Sequence, residues 1–269
     1  MKTRTTYVVG GVRIPFMKSM TAYRDVTTPE LMTASLKSLV ERYNLKGKVV
    51  GDVALGALMQ SSANWNFARE VVQASGLHPN TPAYNVQRAC GTSLETTIQI
   101  AHKISSYQIE SGIAGGVDSN SDLPIMVTRS FSQKLVALNS ARTLGEKLRI
   151  FLSFRPSDLK PVPPAVVEPR TGKSMGEHCE LMVKEWKISR QEQDELALAS
   201  HLNAAKAYKD GFYADLVFPF LGKSTDGIMR GDTTLEKLAK LKPAFDRSEK
   251  GTLTAGNSSS LTDGSSTVL

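Results

Sequence analysis

Up to Asp118, apolar positions along the chain switch repeatedly between two patterns. Short runs rich in Val, Ile, Leu and Ala read as strands at residues 6–14, closed by Pro15, and at 52–59, 82–89 and 111–117. Segments with helical spacing lie between them. Leu31, Met32, Leu36, Leu39, Val40 and Tyr43 line one face of a helix, with Thr28 as its cap and Pro29 at its first position. Residues 66–75 predict a shorter helix, stopped by Gly76 with Pro79 beyond. Leu94, Ile98, Ala101 and Ile104 predict a third helix. Its apolar positions cover much of the circumference, which suits burial between layers. Such alternation predicts an α/β protein with a mostly parallel sheet and helices on both faces.

The pattern changes after Asp118. Residues 122–173 read as irregular, and five of the twelve prolines fall between Pro156 and Pro169, which excludes a continuous helix there. Helical spacing resumes at Ser174. Ser189 and Glu192 form a capping box for a helix that runs to about Lys209, with Gly211 as its stop, and Thr233 and Glu236 predict another. The resulting division is a first half-domain over residues 1–121, an inserted lobe over 122–243, and a return to the half-domain over 244–269. In that return, Asp263-Gly264 reads as a turn. Ser266 opens a last strand that the chain leaves unfinished.

Composition narrows the classes. The net charge of +7 is uneven, because residues 124–175 hold nine basic side chains against three acidic ones. That excess favours an anionic partner such as a phosphate, an acidic protein or a lipid surface. No nucleic-acid-binding signature accompanies it. Two cysteines, Cys90 and Cys179, supply neither a disulfide framework nor a zinc set, and no metal site is expected. No signal-peptide pattern and no membrane-spanning run stands out, so a cytoplasmic protein is the expectation, a matured organellar chain reading the same.

The candidate chemistry sits at Asn85-Val-Gln-Arg-Ala-Cys90-Gly-Thr-Ser. An extended run meets a cysteine, then a glycine, then a helix. Amide groups and the positive dipole end at a helix start favour an anionic thiolate. Gly91 leaves room for a substrate, and Thr92 and Ser93 read as helix caps. The local pattern leaves two readings for Cys90, a covalent nucleophile or a small buried residue. Nothing follows the first strand that resembles a dinucleotide-binding glycine motif.

Seven motifs in series carry a resemblance. They are Arg13-Ile-Pro-Phe, the Asn85–Ser93 run, Ala114-Gly-Gly-Val-Asp, Met175-Gly-Glu, Ile188-Ser-Arg-Gln-Glu-Gln-Asp, Leu238-Ala-Lys-Leu-Lys-Pro-Ala-Phe, and Gly251-Thr-Leu-Thr-Ala-Gly-Asn-Ser-Ser-Ser-Leu-Thr-Asp-Gly. Together they resemble the thiolase family, with the insertion and the Met175-Gly-Glu-His form most similar to the thiolases of fatty-acid β-oxidation, including trifunctional-enzyme β subunits. The resemblance implies a thiolase-like layered fold, of which this chain holds the first half-domain and the loop lobe. It implies acyltransferase chemistry through a Cys90 thioester, with acyl-CoA and coenzyme A as substrates and no permanently bound cofactor. Ser259, with Ser258 and Met175, falls where the family touches coenzyme A, and the basic lobe would face its phosphates. The resemblance also implies a homo-oligomer or an α/β complex for the full-length parent.

The same resemblance marks a departure. The family's base and acid, a Gly-His-Pro histidine, an Asn- or His-containing loop and a second glycine-flanked cysteine, have no match here; Gly76-Leu-His78-Pro79 is not that motif. The chain as given is therefore expected to be inactive in turnover, with an apolar face exposed on the helix after Cys90. Rival readings are a 3-oxoacyl-synthase-like condensing enzyme, a non-catalytic dimerisation or interaction fragment, and a membrane-surface contact through residues 142–160.

Overall fold

A computed structural model describes residues 3–269. Its centre is a sheet in the order β1-β6-β5-β3-β4, with β2 also paired to β6. The strands are β1 Gly11–Arg13, β2 Met17–Lys18, β3 Asp52–Ala57, β4 Ala83–Val86, β5 Gly112–Asp118 and β6 Thr262–Val268. β3 pairs in parallel with both β4 and β5. β6 runs antiparallel to β5 and to β1, so β1, β3, β4 and β5 share one direction and β6 opposes them. All six residues of β3 are buried, as expected for a central strand covered on both faces.

Helices cover the two faces unequally. α1, Thr28–Arg42, and α2, Phe67–Ser75, pack on one face and enclose the main core. Leu31, Leu36, Leu39, Val53, Leu55, Val72 and Ile113 are fully buried there. α3, Thr92–Ser105, lies on the other face over a small cluster of Ala54, Val86, Ile100 and Ala114. Leu94 and Ile98 on its outer side are 66% and 39% exposed. The helix that its sequence suits for burial between layers therefore has a layer on one side only.

Several local readings shift. The α1 cap is Thr27, not Thr28, and Thr27 and Glu30 form a reciprocal capping box. The final strand does not begin at Ser266. β6 starts at Thr262, and Asp263 and Gly264 are inside it, Gly264 opposite Asp118. Its alternate residues Asp263, Ser265 and Thr267 are buried although polar. The Ser265 and Thr267 hydroxyls donate to the Leu31 and Ser35 carbonyls of α1, which satisfies them. The first strand is shorter than residues 6–14, with Tyr7, Val8 and Val9 exposed.

The stretch 122–173 is not wholly irregular. α4, Arg129–Ser140, is capped by Thr128, and α5, Leu144–Leu152, by a Thr143–Glu146 box. The proline-rich part holds a 3₁₀ turn at Pro156–Leu159 and isolated bridges from Val162 to Met126 and from Val167 to Ser174. α6, Met175–Glu185, and α7, Arg190–Lys209, open with capping boxes at Ser174 and Ser189. α8, Leu235–Ala239, is capped by Thr234 rather than Thr233. The lobe also returns to the sheet. Val217 bridges Arg13, and Arg13 forms a bidentate pair with Asp226 at 2.7 and 2.8 Å. Tyr208 and the Phe16 amide complete that cluster.

Candidate active site

Strand register decides which residues share an edge. Val86, Gly56, Gly116, Ser266 and Arg13 stand in one row across the sheet. The carboxyl ends of β3, β4 and β5 therefore lie at the same edge as the start of β6. In open α/β sheets that edge is where binding loops gather. Cys90 follows β4 there, and residues 258–261 enter β6 from the same edge.

The turn into α3 has defined geometry. β4 ends at Val86, so the extended run is shorter than residues 82–89, and Ala89 adopts a left-handed φ of 45°. A non-glycine residue in that region carries strain of about 1–2 kcal/mol. The turn is held by Thr92, whose hydroxyl accepts from the Arg88 amide at 2.9 Å and donates to the Ala89 carbonyl at 2.6 Å. Gly91 and Thr92 amides donate back to the Arg88 and Ala89 carbonyls. The N-cap of α3 is Gly91, and no side chain caps the helix, contrary to the expectation for Thr92 and Ser93. Its first turn stays open to an anion beside Cys90. Cys90 is exposed, which removes the reading of a small buried residue.

Two glycines let α3 sit this low on the sheet. A Cβ on Gly56 would collide with the Val86 carbonyl oxygen and the Thr92 methyl; one on Gly116 would collide with Ser93. Gly91 faces open space apart from the Arg88 carbonyl at 3.4 Å. The loop after β3 is tied to the same region by amides. Asn85 accepts from the Ala68 amide at 2.8 Å and donates to the Trp65 carbonyl at 3.0 Å, while Gln87 donates to the Leu58 carbonyl at 2.7 Å. At the end of β5, burial pushes the Asp118 carboxyl above its ordinary pKa, partly offset by the Leu58 amide that it accepts.

The other candidate residues are spread over this edge and the lobe. Ser259 is exposed and Ser258 half-buried, in the segment that leads into β6. Met175 is exposed at the first position of α6. Sequence reasoning passed over three buried carboxylates around the serine segment. Glu180 on α6 accepts from the Thr252 amide, the Thr252 hydroxyl and the Leu253 amide, each at 2.9 Å. Asp194 on α7 accepts from the Asn257 side chain at 2.9 Å and pairs with Arg190 at 2.8 Å. Asp263 accepts from the Asn120 and Ser121 amides and the Ser121 hydroxyl. The only sequence signal is an acidic residue at a core-facing position, helical for Glu180 and Asp194 and in a strand for Asp263.

Among the described residues no side chain hydrogen-bonds to the Cys90 thiol. His78 accepts from the Asn80 amide, His178 meets the Thr171 hydroxyl, and His201 accepts from the Arg230 amide. Cys179 is half-buried within α6. Of the nine basic residues in 124–175, Lys134 and Arg170 are ion-paired, with Asp158 and Glu168. The other seven form no ion pair among the described residues.

Residues 6–269 match the family model described as thiolase, N-terminal domain. The chain is 41% identical to a 3-ketoacyl-CoA thiolase of Citrobacter koseri and 42% identical to one of Photobacterium profundum. Each alignment covers 97% of this chain, which spans 61% of the length of those relatives. Among solved structures, an acetyl-CoA acetyltransferase of Bacillus anthracis superposes with a TM-score of 0.82 at 29% identity. That match covers 99% of this chain and 65% of the other. Human mitochondrial 3-ketoacyl-CoA thiolase, solved in complex with CoA, superposes with a TM-score of 0.78 at 26% identity, covering 97% and 63%.

Proposed function

The chain belongs to the thiolase family, and on that premise we propose that Cys90 is the acyl-accepting thiol of a 3-oxoacyl-CoA thiolase. The observation that carries this reading is an exposed thiol before the uncapped first turn of α3, a helix seated on Gly56 and Gly116. In thiolysis the Cys90 sulfur attacks the 3-oxo carbonyl, and the bond between the alpha and beta carbons breaks. Its electron pair leaves as the acetyl-CoA enolate, which takes a proton at carbon. Coenzyme A then attacks the Cys90 thioester, and the shortened acyl-CoA departs as the thiol is restored. The reverse sequence is a Claisen condensation.

Coenzyme A is proposed as the ligand of the edge that bears Ser258 and Ser259, with Met175 at the start of α6. The seven basic side chains of the lobe that lack ion pairs supply charge for its phosphates. Titration calorimetry of this chain with coenzyme A is expected to give saturable binding, weakened by Ser259→Ala. Heat no different from dilution would contradict the site. The reaction also needs a base for the thiol and an acid for the enolate. No histidine or second cysteine hydrogen-bonds to Cys90 among the described residues, so thiolysis of acetoacetyl-CoA by this chain alone is expected at the level of a Cys90→Ser control. Turnover above that control would place the acid and base within these residues.

A second reading concerns the lobe surface. Leu144 is 83% exposed, Leu148, Phe151 and Leu152 are exposed beside it, and Arg142, Lys147 and Arg149 lack ion pairs among the described residues. Basic and apolar side chains exposed together suit an anionic lipid surface. Flotation with vesicles rich in acidic phospholipid is expected to carry the chain upward; none rising would remove this reading.

A further inference from the structure

The serine segment is suspended between buried carboxylates that no step of the proposed chemistry uses. On its amino side, Glu180 holds Thr252 and Leu253 through three bonds, and Asp194 holds the Asn257 side chain. Asn257 in turn accepts from the Thr254 amide at 2.6 Å, closing the turn. On the carboxyl side, Asp263 accepts the amides of Asn120 and Ser121 and so ties the start of β6 to the end of β5. The three carboxylates are 0–3% exposed, whereas Ser259, Ser260 and Leu261 between the anchors are open to solvent.

Burying a carboxylate costs free energy that hydrogen bonds only offset. An apolar side chain at Glu180 or Asp263 would leave backbone N–H groups without the acceptor they now have. What carboxylates add is direction. Glu180 fixes the Thr252 and Leu253 amides and Asp194 the Asn257 side chain, while Asp263, with no Lys or Arg in ion-pair range among the described residues, fixes the start of β6 against the Asn120 and Ser121 amides. α6 and α7 are thereby coupled to one short exposed stretch at the Cys90 edge.

From this arrangement we infer that Glu180, Asp194 and Asp263 are positioning residues that fix the backbone of residues 258–261 for the pantetheine arm of coenzyme A. The inference rests on the coenzyme A site proposed above. Glu180→Gln places an N–H₂ group against a backbone N–H, so one anchor bond is lost and another strained. Asp194→Asn acts on the segment only through Asn257, and it serves if Glu180→Gln fails to fold.

The test joins amide hydrogen exchange to coenzyme A titration on the 269-residue chain and both variants. Faster exchange is expected at residues 252–262, with α6 and α7 amides as protected as in the unsubstituted chain. Coenzyme A binding is expected to weaken about tenfold, the size of one lost buried hydrogen bond. Variants that bind coenzyme A as tightly as the unsubstituted chain would overturn the positioning role, as would loosening spread through α6 and α7. An unsubstituted chain that protects residues 252–262 yet binds no coenzyme A would overturn the site reading itself, a result distinct from the other two.

Discussion

At Thr92 one hydroxyl satisfies two backbone groups of the turn that presents Cys90, and its methyl fills the space over Gly56. Thr92→Ala leaves the Arg88 amide without its partner in a half-buried site. The expected cost is about 0.5–1.5 kcal/mol in urea unfolding, with slower alkylation of Cys90 by iodoacetamide. Thr92→Ser keeps the hydroxyl and is expected to retain most of both; equal losses in the two variants would assign the effect to the methyl. Cys90 was legible because its neighbours in space are its neighbours in sequence: strand, thiol, glycine and helix follow directly. Glu180, Asp194 and Asp263 were not. Their partners lie 72, 63 and about 142 residues away, and only the assembled fold brings those backbone amides to a carboxylate.

α3 shows how an element depends on what it is seated upon. Gly56 and Gly116 are silent in the hydrophobic pattern, yet they set the depth of the helix and with it the height of Cys90 above the edge. Gly56→Ala forces Cβ onto the Val86 carbonyl, a backbone atom that cannot turn aside. A loss of about 1–3 kcal/mol is expected by denaturant titration, the usual cost of overpacking. No loss would mean that α3 does not need this contact. The strong elements read well from sequence, since α1, α2, β3 and β5 have apolar periods that match their burial. The misreadings share a cause. β6 buries Ser, Thr and Asp instead of apolar residues, so it resembled a turn, and α4 and α5 keep their apolar residues exposed, so they resembled loop. The Thr143–Glu146 box was the available signal for α5.

The whole molecule joins its lobe to the sheet through Arg13 and Asp226, residues 213 apart in sequence. Burial pushes the Asp226 carboxyl up, but the Arg13 guanidinium, the Phe16 amide and the Tyr208 hydroxyl outweigh it and hold the carboxyl below its ordinary pKa of 3.8. A carboxyl depressed in the fold stabilises it above the unfolded pKa and loses that contribution as pH falls through the folded one. Asp226→Asn is therefore expected to be less stable at neutral pH and to show a flatter stability profile below about pH 4. Parallel profiles for the two proteins would remove the ion pair as a source of acid sensitivity. The central proposal is that Cys90 accepts acyl groups from coenzyme A thioesters. The direct measurement is to incubate the purified chain with acetyl-CoA at about pH 9, where a thiol ionises without a base, and map acetylation by intact-protein and peptide mass spectrometry. One thioester-linked acetyl group on Cys90, absent from Cys179 and lost in Cys90→Ser, is the predicted result. Acetylation of Cys179 at the same rate, or of neither cysteine, would contradict it.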